Sequence, residues 1–180
     1  MVEFVRRRAM LGAALALLGL VAAVQADPGN DNRAPDLGDS QELQVPAGNK
    51  VALHAYAEGV QIWGWNGTSW VLLRPEAVLY ASPKDDGVVG IHYVGPTWES
   101  ASGSYVVGKV VKRATPDPTA IPWLWLEAVD SDGPGIFDGV THIQRVNTMG
   151  GLAPADPGDF PGEEVRVPYA ADYFFYRESR

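Results

Sequence analysis

From Glu42 onward, short apolar runs alternate with Gly, Pro, Asn and Asp. β-Branched and aromatic runs between such punctuators read as strands. The pattern predicts strands over 43–46, 50–57, 60–65, 69–74, 77–81, 88–94, 104–114, 121–129, 140–147 and 165–176. In "QIWGWNGTSWVLL", Asn66-Gly67 is the strongest hairpin signal, because both central residues of a two-residue turn need positive φ. Asp85-Asp86-Gly87 and Ser102-Gly103 read as further reversals. No run keeps a helical period over three turns. Many short strands each bury one face only by wrapping round a shared core. The expected fold is therefore all-β: a single antiparallel β-sandwich or closed barrel domain over residues 42–180.

The start of the chain follows another pattern. Arg6, Arg7 and Arg8 precede an apolar Ala/Leu stretch, and Val24-Gln25-Ala26 offers small residues at the cleavage positions. Residues 1–26 are read as a signal peptide cleaved before Asp27, which implies export to the periplasm or the extracellular space. General secretion is the favoured route, although Arg7-Arg8 also resembles a twin-arginine signal. Residues 27–41 are polar and rich in Pro, Gly and Asp, and read as a flexible leader. No later apolar run is long enough for a retained membrane span.

Charge and cysteine content narrow the partners. The formal charge is −8, and removing Glu3 with the three arginines makes it −10. So acidic a domain does not seek phosphate backbones, which excludes nucleic acid as a partner. With no cysteine, the fold rests on packing and thiol chemistry is excluded.

Candidate chemistry is sparse. "GPGIFDG" (133–139) opens no helix and lacks dinucleotide spacing, and "DSDGPGIFD" (130–138) misses two ligand positions of a calcium loop. His54, His92 and His142 fall in predicted strands without ligand spacing, so no metal or cofactor is expected. Alternation along 121–129 puts Trp123 and Trp125 on one face and Leu124 and Leu126 on the other. This is either an indole row outside the core or a strand buried on both faces. In "VTHIQRVNT" (140–148), Gln144, Arg145 and Asn147 interrupt an apolar strand, and such groups are costly to bury unpaired. The reading is a buried polar network in which Arg145 pairs with Glu99 or Asp172. Gly95-Pro96 would then turn the chain to bring Glu99 toward Arg145, with Trp98 as lid or wall.

"GIHYVGPTWES", "GSYVVGKV", "AIPWLWLEAV", "VTHIQRVNTMGGLAP" and "EVRVPYAADYFFY" occur here in that order. Together they resemble the exported bacterial and fungal proteins grouped as domain of unknown function 3455, over roughly residues 42–177. The resemblance implies one extracytoplasmic domain and brings no established activity. It highlights His92, Gly95, Pro96, Trp98, Glu99, Pro122, Trp123, Gln144, Arg145, Asn147, Gly150, Gly151, Pro168, Tyr169, Asp172 and Tyr173. Relatives often carry tyrosine at the place of His142, and cysteines near Trp65 and near residues 156–159 whose disulfide is absent from this chain. The label malate dehydrogenase on some fungal relatives finds no cofactor fingerprint here.

Two functions follow. The favoured one is a non-catalytic exported binding or structural domain with a buried polar cluster and an unidentified small ligand. Its binding candidates are Trp98, Trp123, Gln144, Arg145, Asn147 and Tyr173. The alternative is a hydrolase or lyase using Glu99 or Asp172 as base with His92 as acid.

Overall fold

A computed structural model describes residues 33–84 and 86–179. The signal segment and the first part of the leader lie outside the described residues. Eight strands follow: β1 (Asn49–Trp65), β2 (Trp70–Tyr80), β3 (Val88–Tyr93), β4 (Thr97–Ser100), β5 (Tyr105–Ala114), β6 (Trp123–Asp132), β7 (Val140–Gly150) and β8 (Glu164–Glu178). Each pairs antiparallel with its neighbour in sequence, and β8 returns to β1, so the sheet closes as a barrel. Closure removes the exposed edges that an open sheet would present.

The boundaries correct the sequence reading in several places. Residues 50–57 and 60–65 belong to one strand of 17 residues, because Glu58-Gly59 is not a turn. Gly59 faces Ala77 across β1 and β2, and a Cβ there would stand 2.1 Å from the Glu76 carbonyl oxygen. Glycine marks a close backbone approach. Arg74-Pro75 likewise lies inside β2, where pairing with β3 has already ended at Ala77–His92. A proline without an N–H is tolerated beside such a gap. β4 is only four residues long, too short for a period to show. Residues 43–46 form no strand: Leu43 ends a 3₁₀ turn over Gln41–Leu43, and residues 44–46 follow it. At the β1–β2 hairpin only Gly67 has positive φ, and the Asn66 carboxamide accepts from the Thr68 and Ser69 amides, giving a longer turn than expected.

Alternation sorts the side chains into two cores. Inside the barrel, Leu79, Val106, Phe137, Ile143, Tyr173 and Phe175 pack around Trp98. Phe137, in the β6–β7 loop, packs on Phe175 with ring centroids 4.9 Å apart and closes one end. Outside the wall, residues 37–45 lie against the barrel, and Leu37, Leu43 and Val45 pack with Val51, Val146, Phe174 and Tyr176. Trp123 and Trp125 are half-buried against this outer layer, so their strand is covered on both faces.

Candidate functional site

The opposite end of the barrel is open, and strand length explains why. β2 continues to Trp70 and β5 to Ala114, while the hairpin between them turns early, over Val94–Pro96. The wall therefore has a notch between β2 and β5. Behind it lies a cavity of about 520 Å³, walled by Trp63, Leu72, Leu73, Val94, Val110, Ile121 and Leu124. This size suits a small organic molecule.

Three buried polar side chains line this apolar space among the described residues: Gln61 from β1, His92 from β3 and Arg145 from β7. All are buried, Gln61 at 1%, His92 at 3% and Arg145 at 9% exposure. Arg145 donates through Nη2 (2.8 Å) and Nε (3.2 Å) to the Pro122 carbonyl, which fixes the guanidinium plane. No carboxylate pairs with it among the described residues. The Tyr169 and Tyr173 hydroxyls are buried beside each other and near the Arg145 guanidinium, whereas both amide atoms of Gln61 are buried without a hydrogen-bond partner among the described residues. Such groups are costly to leave unsatisfied and are rare in native interiors.

The electrostatics follow from burial. His92 Nδ1 lies 2.8 Å from the Thr97 carbonyl, so Nδ1 carries the hydrogen and Nε2 is left as an acceptor. Burial, with the Arg145 charge adding to it, pushes His92 down to about 3 against the weaker opposing pull of that hydrogen bond. The imidazole is neutral, stacked on Trp98 with planes 8° apart. Burial also raises Tyr169 and Tyr173 above the usual phenol value, so both hydroxyls keep their protons. Arg113 and Arg74 join Arg145 in the lining, Arg74 being paired with Glu76 (3.2 Å) and Glu164 (3.5 Å), and among the described residues no acidic side chain lines it. Arg145 and Arg113 give the pocket positive charge in a chain of charge −8.

The expected polar network is divided by the barrel wall. Arg145, His92, Trp98 and Tyr173 face inward, with Tyr173 edge-on to both His92 and Trp98 at 5.3 Å. Glu99 lies on the other face of β4, where it accepts from the Tyr93 hydroxyl at 2.8 Å and raises that phenol. Asp172 sits between inward-facing Ala171 and Tyr173, and bonds outside to Asn147 (2.8 Å) near His54 (3.6 Å). The pairing of Arg145 with either carboxylate is thus overturned. Alternation puts each acid on the face opposite its inward-pointing neighbour. Gln144 is also outward, donating to the Leu43 carbonyl at 2.7 Å and accepting from Tyr176. Asn147 has φ 52° at a register shift of β7 on β8, a conformation asparagine tolerates better than most residues. Asn147 and Trp123 share an outer groove with Asp36 and Leu37, away from the cavity.

Sequence reasoning missed Gln61. Its signal was present: in "EGVQIWGW", alternation places Gln61 on the face of Gly59 and Trp63, a polar group among inward positions. His54 and His142 lie outside the wall, the latter accepting from Trp125 Nε1 at 3.3 Å, so the three histidines do not converge.

The family model described as a protein of unknown function (DUF3455) matches residues 46–177, which is all eight strands but the last residue of β8, and the chain belongs to that family. No curated protein and no solved structure matches it.

Proposed function

We propose that this member of the DUF3455 family is an exported, non-catalytic barrel, periplasmic or extracellular, that holds one small molecule in the cavity at its open end. The observation that carries the reading is the convergence of Gln61, His92 and Arg145, all buried, on an apolar cavity of about 520 Å³. A purely structural polar cluster would satisfy itself, whereas Gln61 keeps both amide atoms unpartnered. Eight-stranded barrels have room for one such ligand.

The catalytic alternative has less support. A base must reach the same space as its acid partner, and Glu99 and Asp172 are separated from His92 by the sheet. His92, held neutral down to about pH 3, is a poor proton donor near neutrality.

The test uses the secreted chain. Native mass spectrometry and thermal unfolding across a broad panel of small metabolites should find a saturable ligand, one per chain. At a hundredfold excess over Kd it stabilises the fold by about 2.7 kcal/mol. Val110→Trp, which fills the cavity, should abolish the shift. The reading is overturned if no compound stabilises the parent more than this variant. Export is checked by the amino terminus of the native protein: Asp27 supports it, and a chain retained in the cytosol with Met1 overturns it.

A further inference from the structure

We infer that the ligand is an organic monocarboxylate, its head on Arg145 and its apolar body running out through the notch between β2 and β5. This deepens the binding reading above and rests on it. The head follows from the guanidinium. A buried cation with no anionic partner is among the costliest groups a core can hold, and a hydrophobic side chain of similar volume would avoid the cost. Arg145 is 9% exposed, its hydrogen bonds go to the Pro122 carbonyl, the protonated Tyr173 hydroxyl lies beside it, and no carboxylate pairs with it among the described residues. Both bonds to Pro122 come from the Nε–Nη2 side. Neither bond uses Nη1, and the fork geometry of arginine matches a carboxylate. Gln61, also in the lining, adds an amide donor that nothing among the described residues uses.

The body follows from the wall. Leu72 and Leu73 on the β2 side and Val94 at the hairpin tip line the cavity and are 45%, 42% and 55% exposed. They continue outward from the buried Ile121, so an apolar track leads from the guanidinium to the surface. Exposed apolar surface continuous with a pocket marks a ligand groove. One buried cation balances one negative charge, which favours a monocarboxylate over a doubly charged phosphate.

Matched compounds separate head from body. Acid, primary alcohol, amine and phosphate forms of two bodies, dodecyl and 4-phenylbutyl, are titrated below micelle concentration and read by tryptophan fluorescence and calorimetry. Trp63, in the wall, is the reporter. The acid of at least one body should bind at least about tenfold more tightly than its alcohol. Arg145→Met should remove that preference while still admitting the alcohol. Arg145→Lys, which keeps charge but not the fork, should retain part of it, and covers the case in which the methionine variant does not fold. Equal affinity for acid and alcohol in the parent overturns the carboxylate and leaves the cavity reading standing. Tighter binding of the phosphate overturns it in favour of that head. If no compound of either series binds, the inference fails, and the metabolite panel above decides whether the cavity reading fails with it.

Discussion

The Arg145 guanidinium caps the Pro122 carbonyl from 2.8 Å, and this contact, not a salt bridge, holds it inside the barrel. Removing the charge relieves its desolvation and strands one carbonyl, two effects of similar size and opposite sign. Arg145→Met is therefore expected to change unfolding free energy by less than about 2 kcal/mol, well short of the roughly 3–5 kcal/mol seen when a buried ion pair is broken. Urea denaturation of Arg145→Met, Asp172→Ala and the double variant checks this. The two effects should add to within about 0.5 kcal/mol, because the side chains lie on opposite faces of the wall. A larger coupling would restore the ion pair that the geometry denies.

The sequence made the all-β class legible because closure by consecutive hairpins leaves a strand–turn text: Asn66-Gly67, Gly95-Pro96 and Ser102-Gly103 each sit at or beside a real reversal. It misled at Gly59, since a glycine that admits a neighbouring backbone reads the same as one that turns the chain. Facing was harder still. Gln144, Arg145 and Asn147 appear as one interruption of an apolar strand, yet they have three destinations: the Leu43 carbonyl, the barrel interior and Asp172. The partner of Gln144 lies 101 residues away, and no local rule reaches that far. Alternation alone would have separated Gln144 from Arg145, but the outer layer buries both faces of β7 and hides the signal.

Gly59 carries a strong steric prediction. An added Cβ would meet the Glu76 carbonyl oxygen at 2.1 Å and the Ala77 Cα at 2.5 Å, both backbone atoms that cannot swing aside. Gly59→Ala should destabilise at or beyond the upper end of the roughly 1–3 kcal/mol typical of overpacking. Thermal unfolding of the variant decides it, and an unchanged midpoint would mean that β1 and β2 do not cross so closely.

The outer layer should be worth as much as the inner core. Leu43 is fully buried between residues 37–45 and the barrel, and its carbonyl accepts from Gln144. Leu43→Ala should cost about 2–5 kcal/mol. Gln144→Leu should cost about 1–3 kcal/mol, because the Leu43 carbonyl and the Tyr176 hydroxyl lose their partner. If both substitutions were neutral in denaturant, residues 37–45 would not be docked on the wall in solution.

His92 makes stability depend on pH, with a sign fixed by its surroundings. It stacks on Trp98 from β4, meets the edge of Tyr173 from β8, and donates through Nδ1 to the Thr97 carbonyl. Among the described residues, the charged group acting on it is the Arg145 guanidinium from β7, which adds to burial in opposing protonation. The folded value of about 3 lies below the ordinary histidine value of 6.5, so the unfolded chain takes up the proton first as pH falls. The stability due to neutral His92 is complete above about pH 6.5, declines below it, and falls no further once pH passes about 3. One proton gives a slope of about 1.4 kcal/mol per pH unit, hence about 2–3 kcal/mol between pH 6.5 and 4.5. Carboxylates titrate near the lower end of that range, so the parent is compared with His92→Gln, in which every other group is kept. Urea midpoints from pH 7.5 to 4.5 should converge for the two proteins as pH falls, the parent losing the extra amount. Parallel curves would mean that His92 takes up its proton as readily in the folded barrel as in the unfolded chain. The imidazole would then be open to solvent, and the cavity floor would have to be redrawn around a charged histidine beside Arg145.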